Sequence, residues 1–238
     1  FLELHADHAA PVFVAPVFPG DTQAVLTMNS QNIEFSNVEG GILFDAGGAA
    51  ATVTVTGTDG GNEIRFAGAG AGTATFANDG QVTITLRDFG PDSTVNVNGA
   101  QGDDTISIAP NGVSEFSRFT VNGNAPAGAD TVALEGTAGV DNFTYTPGTA
   151  STEDGQAVYD LGGGHLVTVD FLGFTDISFV GLGGTDRLTV NEPVAGSSDA
   201  ILMWPELGNN GKFISTVQDS GPETARVFPS VAYNSIET

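Results

Sequence analysis

A nine-residue phrase recurs five times along this chain, with Gly at its first and fourth positions, Asp or Asn at its sixth and an apolar residue at its eighth. The copies are GTDGGNEIR from Gly57, GAQGDDTIS from Gly99, APAGADTVA from Ala125 (first Gly lost), GTAGVDNFT from Gly136 and GLGGTDRLT from Gly181. A turn on Gly, an Asp, and then alternation of apolar with small polar residues is the pattern of a corner that opens into a strand. Repetition of such a piece constrains the fold more than any other feature. A corner and one strand cannot bury an apolar face alone, and stacked neighbours can.

The phrase sits inside a longer repeat. Aligning GTDGGNEIRF at Gly57 with GTAGVDNFTY at Gly136 also brings residues 82–108 over 166–190, and a fainter start, ELGNNGKFIST, begins at Glu206. Starts at Gly57, Gly136 and Gly208 are 79 and 72 residues apart, which gives repeats over 57–135 and 136–207 and a partial one over 208–238. Residues 1–20 differ: APVF occurs twice, and Pro11, Pro16 and Pro19 suit an extended arm better than a central strand. The body is therefore expected to span 21–238.

Composition points the same way. Gly contributes 33 of 238 residues and charged side chains only 15%, while no long stretch shows a helical stripe. Short runs such as ATVTVTG, QVTITL, STVNVNG, DTISIA, RFTVNG and HLVTVDF alternate with period two, as half-buried strands do. An all-β fold follows. Two architectures fit: a right-handed parallel β-helix (β-solenoid) of about ten coils, with three strands in each coil of about 22 to 25 residues, or tandem β-sandwich modules. Links such as GNAPAGAD and GLGGTD are longer and more Gly-spread than the two-residue turns of tight hairpins, which favours the β-helix.

The phrases resemble degenerate members of the repeats-in-toxin, or hemolysin-type calcium-binding, family, whose consensus is GGxGxDxUx with U a large apolar residue. The wider pattern is similar to repeats of very large bacterial secreted and surface proteins. That resemblance implies an extracellular or cell-surface location and calcium as the candidate ion, with Asp103, Asp104, Asp130, Asp141 and Asp186 as its ligands. The chain departs from the family in two respects. Thr58, Ala100, Pro126, Thr137 and Leu182 replace the second Gly, and the phrases start 42, 26, 11 and 45 residues apart, never nine. The bland reading needs no cofactor: Asp104, Asp130, Asp141 and Asp186 each accept backbone N–H bonds at their own corner, as in an Asx-turn.

With 29 acidic against 6 basic residues, a formal charge of −23 repels nucleic acid and anionic membranes, and the scattered Lys and Arg form no phosphate-binding cluster. No stretch is apolar enough to insert in a membrane as a helix, and there is no Cys to staple the fold. Phe1 in place of Met leads us to expect a mature or internal fragment.

Catalysis finds little support. His5, Asp7 and His8 lie together near the start, His165 stands alone, and no GxSxG elbow is present. The neighbouring acids Asp103–Asp104 and Glu153–Asp154 would point to opposite faces of a strand, which does not make an acid/base dyad. The Phe residues sit in alternating runs and read as core. Only Trp204, Tyr145, Tyr159 and Tyr233 are left for a glycan-stacking stripe.

The expectation is a non-catalytic extracellular structural protein, or a segment of a giant surface protein, that assembles end to end into a fibre, stalk or surface layer. Its partners are further copies or neighbouring repeats of the same chain. Phe1, Leu2, Leu4, Phe13 and Phe18 are expected at one end, and Val231, Tyr233 and Ile236 at the other. The alternatives are a calcium-dependent adhesin that binds glycan and, third, a β-helix enzyme acting on polysaccharide.

Overall fold

Period-two alternation of Val, Ile, Phe and Thr becomes twenty-one strands, and no helix forms among the described residues. The computed structural model describes side chains over residues 41–57, 59–70, 72–77, 83–124, 129–149, 151, 153–161, 164–191, 231–234 and 236. Backbone alone is described at 2–5, 12–16, 23–28, 31–36, 78, 198–205, 211–218 and 226–230. In chain order the first strands are β1 (Leu2–His5), β2 (Val12–Pro16), β3 (Gln23–Met28), β4 (Gln31–Ser36), β5 (Ile42–Asp45), β6 (Thr52–Thr56) and β7 (Glu63–Gly70). Next come β8 (Thr73–Asn78), β9 (Ile84–Arg87), β10 (Ser93–Asn98), β11 (Thr105–Ala109), β12 (Phe116–Asn122), β13 (Thr131–Glu135) and β14 (Asn142–Pro147). The last are β15 (Gly155–Asp160), β16 (Leu166–Leu172), β17 (Asp176–Val180), β18 (Arg187–Val190), β19 (Ser198–Pro205), β20 (Gly211–Gln218) and β21 (Arg226–Asn234).

The strands are shared between two parallel-rich sheets. Sheet A runs β1-β5-β9-β8-β7-β11-β13-β17-β21-β20-β19, and sheet B runs β4-β3-β2-β6-β10-β12-β16-β15-β14-β18. Single strands alternate between them, so β10, β11, β12 and β13 fall in B, A, B and A, and each pairs in parallel with the strand one circuit earlier. Antiparallel meanders of three strands, β2–β4, β7–β9, β14–β16 and β19–β21, punctuate this alternation in sheets B, A, B and A.

Register explains the spacing of the sequence phrases. On sheet A, Ile64 pairs with Ile106, Ile106 with Val132 and Val132 with Ile177, steps of 42, 26 and 45 residues. On sheet B, Phe143 pairs with Leu188, again 45 residues on. The expected coil of three strands and uniform length is corrected: two sheets carry all the strands, and circuits lengthen whenever a meander replaces a single strand. Residues 1–20, expected as an arm, contain β1, which pairs with β5 at the end of sheet A, and β2, which pairs with β6 within sheet B.

One apolar cluster joins both sheets, from Ile42 to Ile236, rather than dividing into tandem modules. Same-register positions stack apolar on apolar, as in Val53–Val95–Phe119–Val169 on sheet B and Phe66–Ile108–Leu134–Phe179 on sheet A. Across the core, Phe66 meets Phe119 edge to face at 4.8 Å and Phe143 meets Phe179 at 5.5 Å, contacts that add about 0.5–1.5 kcal/mol each beyond area burial. On β6 and β10 the outward positions are Thr and Asn, and the Thr52 and Thr94 hydroxyls bond each other at 3.0 Å across the two strands.

Corners stack as closely as strands. Gly102 has φ 122°, and a Cβ there would lie 2.6 Å from the Gly60 carbonyl carbon of the preceding circuit. Two residues before it Ala100 adopts φ 74°, and Leu182, at the same place in its own phrase, adopts φ 68° and is 57% exposed. A left-handed backbone at an L-residue with a Cβ costs about 1–2 kcal/mol, and this exposed leucine offsets little of it by packing. Leu182→Gly is therefore expected to stabilise the fold by about 1 kcal/mol, net of its greater unfolded-state entropy, in equilibrium urea unfolding.

Candidate functional site

Two columns of buried acids run along the corners where strands begin. Asp104, Asp130, Asp141 and Asp186 are all 0–1% exposed, whereas Asp103 is exposed and accepts the Ala129 amide at 3.2 Å. In the first column, Asp104 Oδ1 accepts the Asn62 amide at 2.8 Å and the Asn62 side-chain NH2 at 3.0 Å. Asp130 Oδ1 accepts the Asp104 amide at 2.7 Å. In the second, Asp186 Oδ1 accepts the Asp141 amide at 2.9 Å. These partners lie 42, 26 and 45 residues away in sequence. The expectation of an Asx-turn at each residue's own corner is corrected to include these bonds between circuits; Asp141 also keeps a local bond, from the Thr137 amide at 2.6 Å.

The first glycine of the phrase is the other half of this device. A Cβ on Gly99 would fall on Asp104 Oδ2, one on Gly136 would lie 2.5 Å from Asp141 Oδ2, and one on Gly57 would lie 3.0 Å from Asn62 Nδ2. Five residues separate each Gly from its acid or amide. The glycine leaves room for the head group to turn inward and cap the neighbouring circuit.

Asn62 heads the first column with its amide nitrogen satisfied, donating to Gly60 O and Asp104 Oδ1 and, at 3.4 Å, to Gly99 O. The acids below it fare worse. Asp104 Oδ2 and Asp130 Oδ2 are buried with no donor. Burial pushes the Asp104 carboxyl above the ordinary carboxylate range against the lowering effect of the Asn62 bonds, with the Asp103 charge pushing the same way as burial. Asp130 is raised likewise, by burial first and then by the charges of Asp104, Asp103 and Glu153, against the Asp104 amide bond.

Calcium requires six to eight oxygens around one point. Oδ1 of Asp104, Asp130 and Asp186 is already committed to a backbone amide, Asp103 points elsewhere, and no three His, Cys, Asp or Glu converge among the described residues.

A separate surface pocket of about 390 Å³ lies where β5, β8 and β9 end or begin, lined by Asp45, Thr73, Arg87, Asp88, Phe89 and Glu115. Arg87 donates twice to Asp45 Oδ2, at 3.1 and 2.7 Å. Sequence reading missed this group because its members come from distant segments and share no local pattern.

The assembly residues divide. Leu2 and Leu4 lie on β1, the outermost strand of sheet A, and Phe13 lies on β2, inside sheet B; Phe1 and Phe18 fall outside the described residues. Val231, Tyr233 and Ile236, expected at the far end, are instead core residues, 1%, 8% and 4% exposed. Their strand β21 is flanked by β17 and β20, so the outermost described strands at that end are β19 in sheet A and β18 in sheet B. No family model, characterised protein or solved structure matches this chain.

The acid column yields a signed prediction. A carboxyl raised in the folded state makes that state hold protons the unfolded chain releases, so stability falls as pH rises from about 4 through the folded value and is flat above it. Asp104→Asn keeps the acceptor and supplies a donor in place of the orphaned oxygen, as Asn62 does. It should stabilise the protein at pH 7 by about 1–3 kcal/mol, with the advantage shrinking towards pH 4, as read from urea midpoints against pH.

Proposed function

We propose that this chain is a non-catalytic structural module of an extracellular fibre, stalk or surface layer, a β-solenoid with two strands per turn whose ends pair with neighbouring units of the same fold. The observation that supports it is the direction of the four outermost strands. Four antiparallel pairings separate β1 from β19, and four separate β4 from β18. Four reversals restore direction, so the outer strands of each sheet run in the same sense. A neighbour placed by translation along the stacking axis thus presents outer strands of matching direction at both sheets, a head-to-tail arrangement that does not close on itself.

The charge favours the same role. A net −23 on a chain of 238 residues opposes sideways association of sheet faces, leaving the ends as the places where backbone groups seek partners. Purified protein should lengthen with concentration in sedimentation velocity and show unbranched rods by electron microscopy, growing by about 50 Å per subunit at about 4.8 Å per strand. Compact monomers at all concentrations would rule out assembly from this chain alone.

A further inference from the structure

The fold repeats itself over twelve strands. β13–β21 retrace β1–β9 in sheet and order: one strand in A, a meander in B, one strand in A, one in B and a meander in A. β18 therefore occupies the place of β6, and β19 that of β7. On its outer side β6 carries β10, with Thr94 donating its amide to Ala51 O at 2.9 Å and Gly57 donating to Asn98 O at 2.6 Å. Among the described residues, the corresponding side of β18 carries no strand.

We propose that the β18 edge is a strand-acceptor site, and that its occupant is a parallel strand of the β10 kind from the adjoining repeat of this fold. Arg187 and Asn191 donate their amides inward, to Asp141 O and Tyr145 O, at 2.9 and 2.8 Å. By alternation the amides of Leu188 and Val190 face outward, where those of Val53 and Val55 face β10. Burial agrees: Val53 and Val55 are 0% and 1% exposed beneath their neighbour, whereas Leu188 and Val190 are only partly buried.

The two sheets also end unevenly. Phe66 on the fifth strand of sheet A packs on Phe119 on the sixth of sheet B, and Phe179 on the eighth of A packs on Phe143 on the ninth of B. Carried forward, this offset sets β18, the tenth of B, over β21, the ninth of A, and leaves β20 and β19 extending beyond it. A direct neighbour would continue sheet A but leave sheet B one strand short. A β10-like strand fills that gap: apolar at the positions of Val95 and Val97, small and polar between, and in the register by which Thr94, Asn96 and Asn98 meet Thr52, Thr54 and Thr56.

This deepens the end-to-end reading, and it is tested on single molecules. The full chain is compared with a form carrying a second copy of residues 92–124 at its C-terminus, and with a control whose added copy has Lys in place of the residues equivalent to Val95 and Val97. Amide exchange of Leu188 and Val190 is followed by NMR under conditions where sedimentation shows monomers. Expected is fast exchange in the unextended chain and in the control, and slowing of about a hundredfold or more with the native-pattern extension. Protection already present in the unextended monomer, equal protection by both extensions, or none by either overturns the site. Protection by the native pattern alone in a chain that never forms rods would uphold this site while removing self-assembly.

Discussion

Register is the constraint on which everything else in this molecule rests. In parallel stacking every residue sits over its counterpart one circuit away, and a slip of one position turns Val53, Val95 and Phe119 outward and brings Thr and Asn into the core. Apolar burial alone does not distinguish a slip of two from the native pairing. The corner acids do. Asp104 reaches the amide of Asn62, and Asp130 that of Asp104, only when both circuits start together. Gly99, five residues before Asp104, and Gly123, seven before Asp130, leave the space for that reach, so the phrase works as a clasp between circuits as well as a turn within one.

The meanders show how a body built on register tolerates insertions. A strand that crosses a sheet delivers the chain from one corner to the opposite one. Three antiparallel strands do the same, because two reversals cancel. The circuit from Ile64 to Ile106 takes 42 residues and that from Ile106 to Val132 takes 26, yet both end in the same parallel pairing. The added strands extend the core rather than interrupt it: Phe76 on β8 lies 5.2 Å from Phe66, and Tyr159 on β15 lies 5.0 Å from Phe143.

Sequence made part of this legible, for a physical reason. Period two reports which side of a strand faces the core, so the alternating runs and their Phe residues were readable one strand at a time. It carries no information about which strand lies alongside or in which direction, and the meanders, the two-sheet division and the unequal circuits stayed hidden. The aspartates of the phrases stand out in the sequence, but a local pattern carries no sign of partners that lie one circuit away. Val231, Tyr233 and Ile236 looked terminal because they are late in the chain. The final meander folds back, and its last strand, β21, comes to rest inside the sheet beside β17.

Parallel stacking has no geometric reason to stop. Each new circuit finds the same corner, the same apolar stripe and the same row of unpaired backbone groups that the previous one found. A closed globule hides such rows by curling or capping. Here the outermost described strands of both sheets present them at either end, with no helix laid across them among the described residues. Leu188 and Val190 record the consequence in their burial, holding positions that elsewhere in the sheet are sealed by the next strand. An end of this kind differs from an interior strand only in lacking a described neighbour, and a strand that continued it in register would share the repeat's own period, direction and pattern of small polar and apolar residues.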